Sequence, residues 1–363
     1  MNLIFGLFLI PILVFGMGWG LLWYLNFRPA PIVEESVHND PDAPTLSGSG
    51  TLRILTYNVQ YLAGTKYRFF YDGGPDTVAS ESNVNSTMKE VAEFINAVDA
   101  DFVLLQEVDV NAKRSSYVDQ IGGLRAHLSS RYPAFVSSYY WRSRFVPHPK
   151  VWGPVGMKML VFSKYELGKA YRHRLAQTPG NPLNRDFNIK RAFLEVMVPF
   201  RGGTGLILIN THLEAFTKGT DVLQLQVEQI RQHLKVLDAR DIPWILGGDF
   251  NALPPGQFEC LPTFDRGSHS DRAELQELFK EYQGVPSVDD ATGASSRDFF
   301  TFTASDGNSR RPIRTLDYLF VSPLFRISEY FVEQDVALKL SDHLPVIAEF
   351  GRPRMERKIE DED

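Results

Sequence analysis

The stretch IPWILGGDFN, residues 242–251, runs from an apolar segment straight into an acid and an amide. Ile242 to Leu246 is short and hydrophobic, the pattern of a strand covered on both faces. Gly247 and Gly248 follow, and glycine lets a backbone approach a ligand closely. Asp249 and Asn251 then sit where the strand surfaces. About ninety residues later SDHLP (341–345) sets an acid beside an imidazole, again between two apolar stretches.

The same arrangement recurs upstream. Asn58 follows Ile54 to Tyr57, Glu107 follows Val103 to Leu105, and His212 follows Ile207 to Asn210. A single polar residue after a strand is ordinarily a turn former or a helix cap. Five in register predict strand ends that converge on one mouth, held rigid by the strands behind them.

The residue types suit phosphodiester hydrolysis. A hard divalent cation takes carboxylate oxygens, and Mg²⁺ uses only one or two from protein while keeping waters and substrate phosphate. Glu107 is the best candidate ligand. His343 could accept a proton from the attacking water if an acid such as Asp317 or Asp249 fixed its tautomer. Asn58, Asn251 and His212 could donate to the developing charge on the phosphoryl oxygens.

Between these motifs, Leu52–Val59, Phe102–Leu105, Leu206–Asn210, Leu316–Val321 and Val346–Phe350 read as strands, while Met88–Val98 and Val222–Leu237 are amphipathic at helical spacing. Strands with intervening helices predict an α/β fold of sheets covered by helices. The chain has 363 residues, 44% of them hydrophobic, enough for one large core. A formal charge of −6 argues against a sequence-independent DNA coat. One cysteine, Cys260, excludes an intramolecular disulfide framework and any CxxC metal site.

Leu3–Leu25 carries no charged side chain, and Trp19, Trp23 and Tyr24 crowd its end. At that length it predicts a single transmembrane helix with an interfacial aromatic belt, hence a single-pass membrane protein. A signal peptide would show a basic start, a shorter apolar core and small residues at a cleavage site. The expected organisation is an anchor over 1–27, a Pro/Ser/Gly/acidic linker over 28–50, a catalytic domain over 51–352 and a charged tail over 353–363.

LTYNVQYL (55–62), LLQEVD (104–109), NTHLEA (210–215), GGDFNALP (247–254), LDYLFVS (316–322) and SDHLPV (341–346) resemble, in order and spacing, the motifs of the endonuclease/exonuclease/phosphatase superfamily. The resemblance covers about residues 51 to 350. It implies a four-layer α/β sandwich of two packed mixed sheets flanked by helices, and attack of water on a phosphoester with Mg²⁺ (or Mn²⁺). Carried across by motif, Glu107 would bind metal, with Asn58 and Asp342 completing that side of the site. Asn58, Asn251 and His212 would contact phosphate, and Asp249 would position or activate the nucleophile. His343 would be the catalytic histidine and Asp317 its orienting acid. The THLE run around His212 is similar to the secreted-nuclease, sphingomyelinase-like and inositol-phosphatase branches rather than to abasic-site enzymes.

Substrate class is less legible. Residues 139–158 interleave Tyr139, Tyr140, Trp141, Phe145 and Trp152 with Arg142, Arg144, His148, Lys150 and Lys158. Such a stretch could stack bases, lie on anionic headgroups, or pack its aromatics inward. Lys66–Glu81 is expected to form a loop beside Asn58 that shapes access. The leading expectation is a membrane-tethered phosphodiesterase acting on nucleic acid or a phospholipid headgroup. The alternatives are an inositol-phosphate-type phosphomonoesterase, which would want a dense basic pocket, modestly supported by Arg185, Lys190 and Arg191, and an inactive scaffold. Every candidate catalytic position is occupied by the residue the chemistry needs, which argues against the scaffold.

Overall fold

The computed structural model describes residues 13–21, 24–47, 50–180, 187–201, 205–215, 219–266, 271–305 and 310–351. Two seven-stranded mixed sheets organise the chain. The first has the order β15 (Arg326–Val332), β16 (Val346–Gly351), β3 (Thr51–Asn58), β4 (Phe102–Asp109), β6 (Gly153–Ser163), β5 (Ala134–Val146) and β2 (Val37–Asn39). The second has the order β1 (Ile32–Glu35), β7 (Ala170–Arg174), β8 (Ala192–Val198), β9 (Leu206–His212), β10 (Trp244–Asp249), β14 (Asp317–Val321) and β11 (Gln283–Val285). A hairpin, β12 (Phe302–Ser305) and β13 (Arg310–Arg314), stands apart.

Alternation along the central strands shows how the layers stack, because successive side chains point to opposite faces. In β9, Leu206 and Leu208 join the core shared with the first sheet, whereas Ile207 and Ile209 join a second core. Ile245 divides from Trp244 and Leu246 in the same way, as do Leu319 and Val321 from Tyr318 and Phe320. The second core is closed by α3 (Val222–Asp238), whose Leu223, Val227, Ile230, Leu234 and Leu237 repeat every three or four residues. The first sheet is covered by α1 (Glu81–Val98), which buries Val84, Met88, Val91, Ala92 and Ile95, and by α2 (Gln120–Leu128). Ser80 caps α1 by accepting the Asn83 N–H. The fold is two packed mixed sheets flanked by helices, as expected.

A polar bolt crosses the sandwich. Gln106 Nε2 donates to Asn210 Oδ1 at 2.7 Å and to Thr56 Oγ1 at 3.1 Å, while Asn210 Nδ2 donates to the carbonyls of Leu105 and Leu160. Buried amides survive there because their N–H groups find acceptors, although among the described residues Gln106 Oε1 has no partner. Gly247 allows the close approach of the sheets: a Cβ on it would lie 2.6 Å from Leu319 Cδ2 and 2.8 Å from Leu104 Cδ1.

Two expectations about the N-terminal region are corrected. The segment expected to be a linker supplies an edge strand to each sheet: β1 pairs with β7, and β2 with β5. Edge pairing is made by backbone groups, so side-chain composition hides it. The single-pass membrane localisation is overturned by the helices themselves, because among the described residues no helix is long and apolar enough to cross a membrane. Residues 13–21 are helical. Past it the chain meets β5, where Asn26 bridges Ser143 and Ser143 Oγ donates to the Leu25 carbonyl. Residues 1–12, 22–23 and the tail from 352 onward lie outside the described residues.

Candidate active site

Register assembles half of the site. β10 runs parallel to β9 with Asp249 opposite His212, and antiparallel to β14 with Asp249 opposite Asp317. His212, Asp249 and Asp317 therefore form one row across three strands. They share the strand parity of Leu208, Ile245 and Leu319, which places them on the face turned toward the first sheet. The first sheet contributes the other half: Asn58 at the end of β3, Glu107 near the end of β4, and the 341–343 segment leading into β16.

Asp249 is the hub. Asn58 Nδ2 donates to its Oδ2 at 3.0 Å, and the Asn251 N–H donates to its Oδ1 at 2.9 Å. His212 Nε2 lies 3.3 Å and His343 Nε2 lies 3.5 Å from the same Oδ2. His343 Nδ1 contacts Asp317 Oδ2 at 2.8 Å. Asp317 is itself held by its backbone, since Thr301 Oγ1 accepts the N–H groups of Leu316 and Asp317. Ser341 fixes the approach of the histidine: its Oγ donates to the Asn58 carbonyl at 2.7 Å and accepts the His343 N–H. Asp342 takes the Gln60 Nε2 at 2.9 Å.

The tautomer of His212 follows from its neighbours. The Glu107 N–H donates to the Tyr140 hydroxyl at 3.2 Å, so Tyr140 directs its own proton to His212 Nδ1 at 3.0 Å. The remaining proton is then on Nε2, facing Asp249 and, at 3.8 Å, Glu107 Oε1. Burial, with Arg191, His343 and Arg114 nearby, holds His212 well below the ordinary histidine range, so the ring is neutral. Tyr140 lies within the aromatic and basic stretch of β5, and its role was invisible in sequence because only strand parity turns it inward. Gln60, Ser341 and Thr301 were missed because they lie in turns and loops outside the strands, where no periodicity marks them.

Charge is concentrated here. Burial, then Asp342 and Asp249, push Glu107 up to about 7, against the pull of Arg114 and His343. For His343, burial works downward but the carboxylates of Asp317, Asp249 and Asp342 win, and the imidazolium is favoured. Asp317 is raised by burial and by Asp249, while His343 restrains it. Glu107 is aimed by an irregularity in the β4–β6 pairing between Leu105 and Val108 and adopts φ +60°; Asn251 adopts φ +49°. Left-handed backbone at non-glycine residues costs on the order of 1–3 kcal/mol and concentrates at functional sites. Behind Glu107, Arg114 makes a two-pronged ion pair with buried Asp109 and stacks 3.3 Å from the centre of the Tyr61 ring.

The donor set fits a hard divalent cation. Donor atoms of Asp249, Asp317 and His343 lie within 4.8 Å of one another, Asp342 and Asp249 are near enough to raise Glu107, Asn58 adds an amide, and the one cysteine, Cys260, is exposed. All eight residues expected from the sequence, Asn58, Glu107, His212, Asp249, Asn251, Asp317, Asp342 and His343, line this one region. The side chain of Asn251 is turned away from the hub, its Nδ2 donating to the Leu213 carbonyl at 3.0 Å.

The profile of the Endonuclease/Exonuclease/phosphatase family matches residues 55–343. The chain belongs to that family, whose members are hydrolases of phosphoester bonds and are generally dependent on divalent metal. Among solved structures it is similar to an endonuclease/exonuclease/phosphatase from Beutenbergia cavernae, with 21% identity, 84% of this chain and 72% of that one covered, and a TM-score of 0.56. It is also similar to the human Nocturnin catalytic domain with bound sulfate anion, at 19% identity, 85% and 96% coverage and a TM-score of 0.52. TDP2 from C. elegans matches at 18% identity, 84% and 76% coverage and a TM-score of 0.50. At these identities the likeness is one of fold. No curated protein matches.

Proposed function

We propose that the chain is a Mg²⁺- or Mn²⁺-dependent phosphodiesterase that hydrolyses a phosphodiester of nucleic acid or of a phospholipid headgroup. The observation that carries this reading is the convergence of Asn58, His212 and His343 on one oxygen of Asp249, at 3.0, 3.3 and 3.5 Å. Glu107, with Asn58 and Asp342, would hold the cation. When bound, it would neutralise phosphoryl charge and act as a Lewis acid.

The side chains divide the remaining work by protonation state. Sequence alone made His343 the general base. Its carboxylate neighbours favour the imidazolium, which donates rather than accepts, so His343 stabilises charge developing on the phosphoryl oxygen while Asp317 orients the ring. Asp249, fixed by two donors, then orients the attacking water and takes its proton. Neutral His212 and the Asn58 amide offer N–H groups to the phosphate. Asn251 contributes chiefly through its backbone N–H.

Phosphodiesterase is favoured over an inositol-phosphate phosphomonoesterase by the surroundings. Arg191 is buried, its guanidinium 3.5 Å from Glu214 and donating to the His212 carbonyl, so it serves the fold. Arg185 lies outside the described residues. A pocket that takes in Arg114, whose charge acts on Glu107, is lined by Phe70, Tyr71, Trp141 and Val155, with Lys150 as the other cation. Aromatic walls with few charges suit a stacked or apolar substituent better than a ring of phosphates.

The test is hydrolysis of bis-p-nitrophenyl phosphate by the full chain with Mg²⁺ and Mn²⁺, then with chelator. Turnover is expected to vanish with EDTA and to fall by about 10²- to 10⁴-fold in Asp249→Asn at unchanged Tm. Undiminished activity in chelator rejects the reading. A parallel screen of DNA, RNA, sphingomyelin, phosphatidylinositol and inositol phosphates assigns the substrate class.

A further inference from the structure

A second cluster of ligating side chains lies on the opposite face of the second sheet. His173 on β7 and Glu195 on β8 have the strand parity of Phe193, which belongs to the core under α3, and His233 comes from α3 itself. The donor atoms of the three residues all lie within 4.8 Å of one another. His173 Nε2 is 3.4 Å from Glu195 Oε2, and His233 Nε2 touches the same oxygen. We propose that His173, Glu195 and His233 form a metal site for a borderline transition ion of the zinc type, separate from the hydrolytic centre.

Three observations converge on this. First, the side chains are partly exposed, at 18%, 16% and 23%, yet the three donor atoms are buried against one another, and the two imidazoles hold the Glu195 carboxyl below its ordinary range against its burial. The atoms face one another rather than solvent. A cation entering between them would take the place of the protons the two imidazoles share with the carboxylate. Second, ligands at ~2.0–2.2 Å from tetrahedral zinc stand about 3.4 Å apart, the separation of His173 from Glu195, while His233 lies closer to the same oxygen and would draw back on binding. Third, both rings are already clamped: His173 stacks on Phe193 at 4.6 Å and 8°, and His233 packs 5.0 Å from each of those rings. Rotation that would carry either nitrogen away is blocked before any ion arrives.

The donor chemistry separates the two centres. Two imidazoles and one carboxylate favour zinc, cobalt or nickel, while the carboxylate-rich hydrolytic site favours Mg²⁺ or Mn²⁺. The cluster ties β7 and β8 to α3 on the face away from Asp249, so its consequence is for stability of the layer rather than for turnover.

The experiment uses the full chain, stripped by chelator and dialysed into excess Mg²⁺ so that the hydrolytic centre is occupied. Titration with Zn²⁺ is expected to show one equivalent bound with a rise in Tm, and Co²⁺ a visible d–d band. Both signals should be lost in His233→Gln and Glu195→Gln and kept in Asp249→Asn. Absence of stoichiometric uptake, or uptake lost in Asp249→Asn but kept in His233→Gln, overturns the proposal. Should the variants not fold, anomalous diffraction at the zinc edge from wild-type crystals decides it: a peak among the three side chains supports the site, and its absence there refutes it.

Discussion

Replacing Glu107 by Gln separates the cost of the hydrolytic site from its use. The carboxyl is forced up from 4.5 to about 7 by burial and by Asp342 and Asp249. A group with a raised folded-state pKa contributes stability that is complete below the unfolded value and is lost as pH rises through the folded one. Glu107 thus penalises the metal-free protein increasingly between about pH 4.5 and 7 and fully above that. The difference, 7 − 4.5, would amount to about 3.4 kcal/mol at 1.36 kcal/mol per unit. The side chain retains 13% exposure, and water there screens part of the repulsion, so about 2 kcal/mol is the working figure. Gln cannot ionise and keeps the shape. Metal-free Glu107→Gln should therefore melt a few degrees above wild type at about pH 8.5 and level with it at about pH 4.5. Mg²⁺ should raise the wild-type Tm and leave that of the variant unchanged, and turnover of the variant should be lost. Scanning calorimetry across pH, with and without Mg²⁺, is the assay. A variant less stable than wild type at high pH, or a difference that does not change with pH, refutes the claim that the carboxylates are held together against their own repulsion.

Asp317→Asn removes the main carboxylate favouring the His343 imidazolium. If protonated His343 is the active form, the alkaline limb of the kcat/KM profile should move to lower pH, and a limb that stays put assigns the titration to another group. Tyr140→Phe deletes the hydroxyl that accepts from the Glu107 N–H and sets the His212 tautomer, so a loss of about 1–3 kcal/mol in stability is expected, together with a lower kcat, read by denaturant unfolding and steady-state kinetics. Gly248→Ala adds a Cβ that would fall 2.0 Å from the Thr211 carbonyl oxygen at φ +150°, which should cost about 3 kcal/mol or more by urea denaturation. A neutral effect would mean that β9 and β10 yield more freely than their register implies.

How far the site could be read without coordinates depends on what each residue needs in order to be seen. Asn58, Glu107, His212 and Asp249 stand out because each terminates a run buried on both faces, and a polar residue there breaks a continuous apolar pattern. Asp317 opens β14 directly after Leu316, and its placement opposite Asp249 is a matter of register, which strand periodicity alone does not supply. Tyr140 illustrates the opposite limit. It sits among Tyr139, Trp141 and Arg142, and nothing local separates the ring that orients His212 from those that face the flanks of β5. Edge strands at 32–39 were read as a linker because pairing at an edge uses main-chain groups, and their half-buried, alternating side chains carry no apolar run. The cluster of His173, Glu195 and His233 was missed for a related reason: its members come from two strands and a helix, with only the β7–β8 register and the turn of α3 bringing them together. Sites written at strand ends can be found by pattern, because burial forces the contrast. Sites written across a sheet face, between a strand and its covering helix, need the pairing register before any residue in them looks unusual.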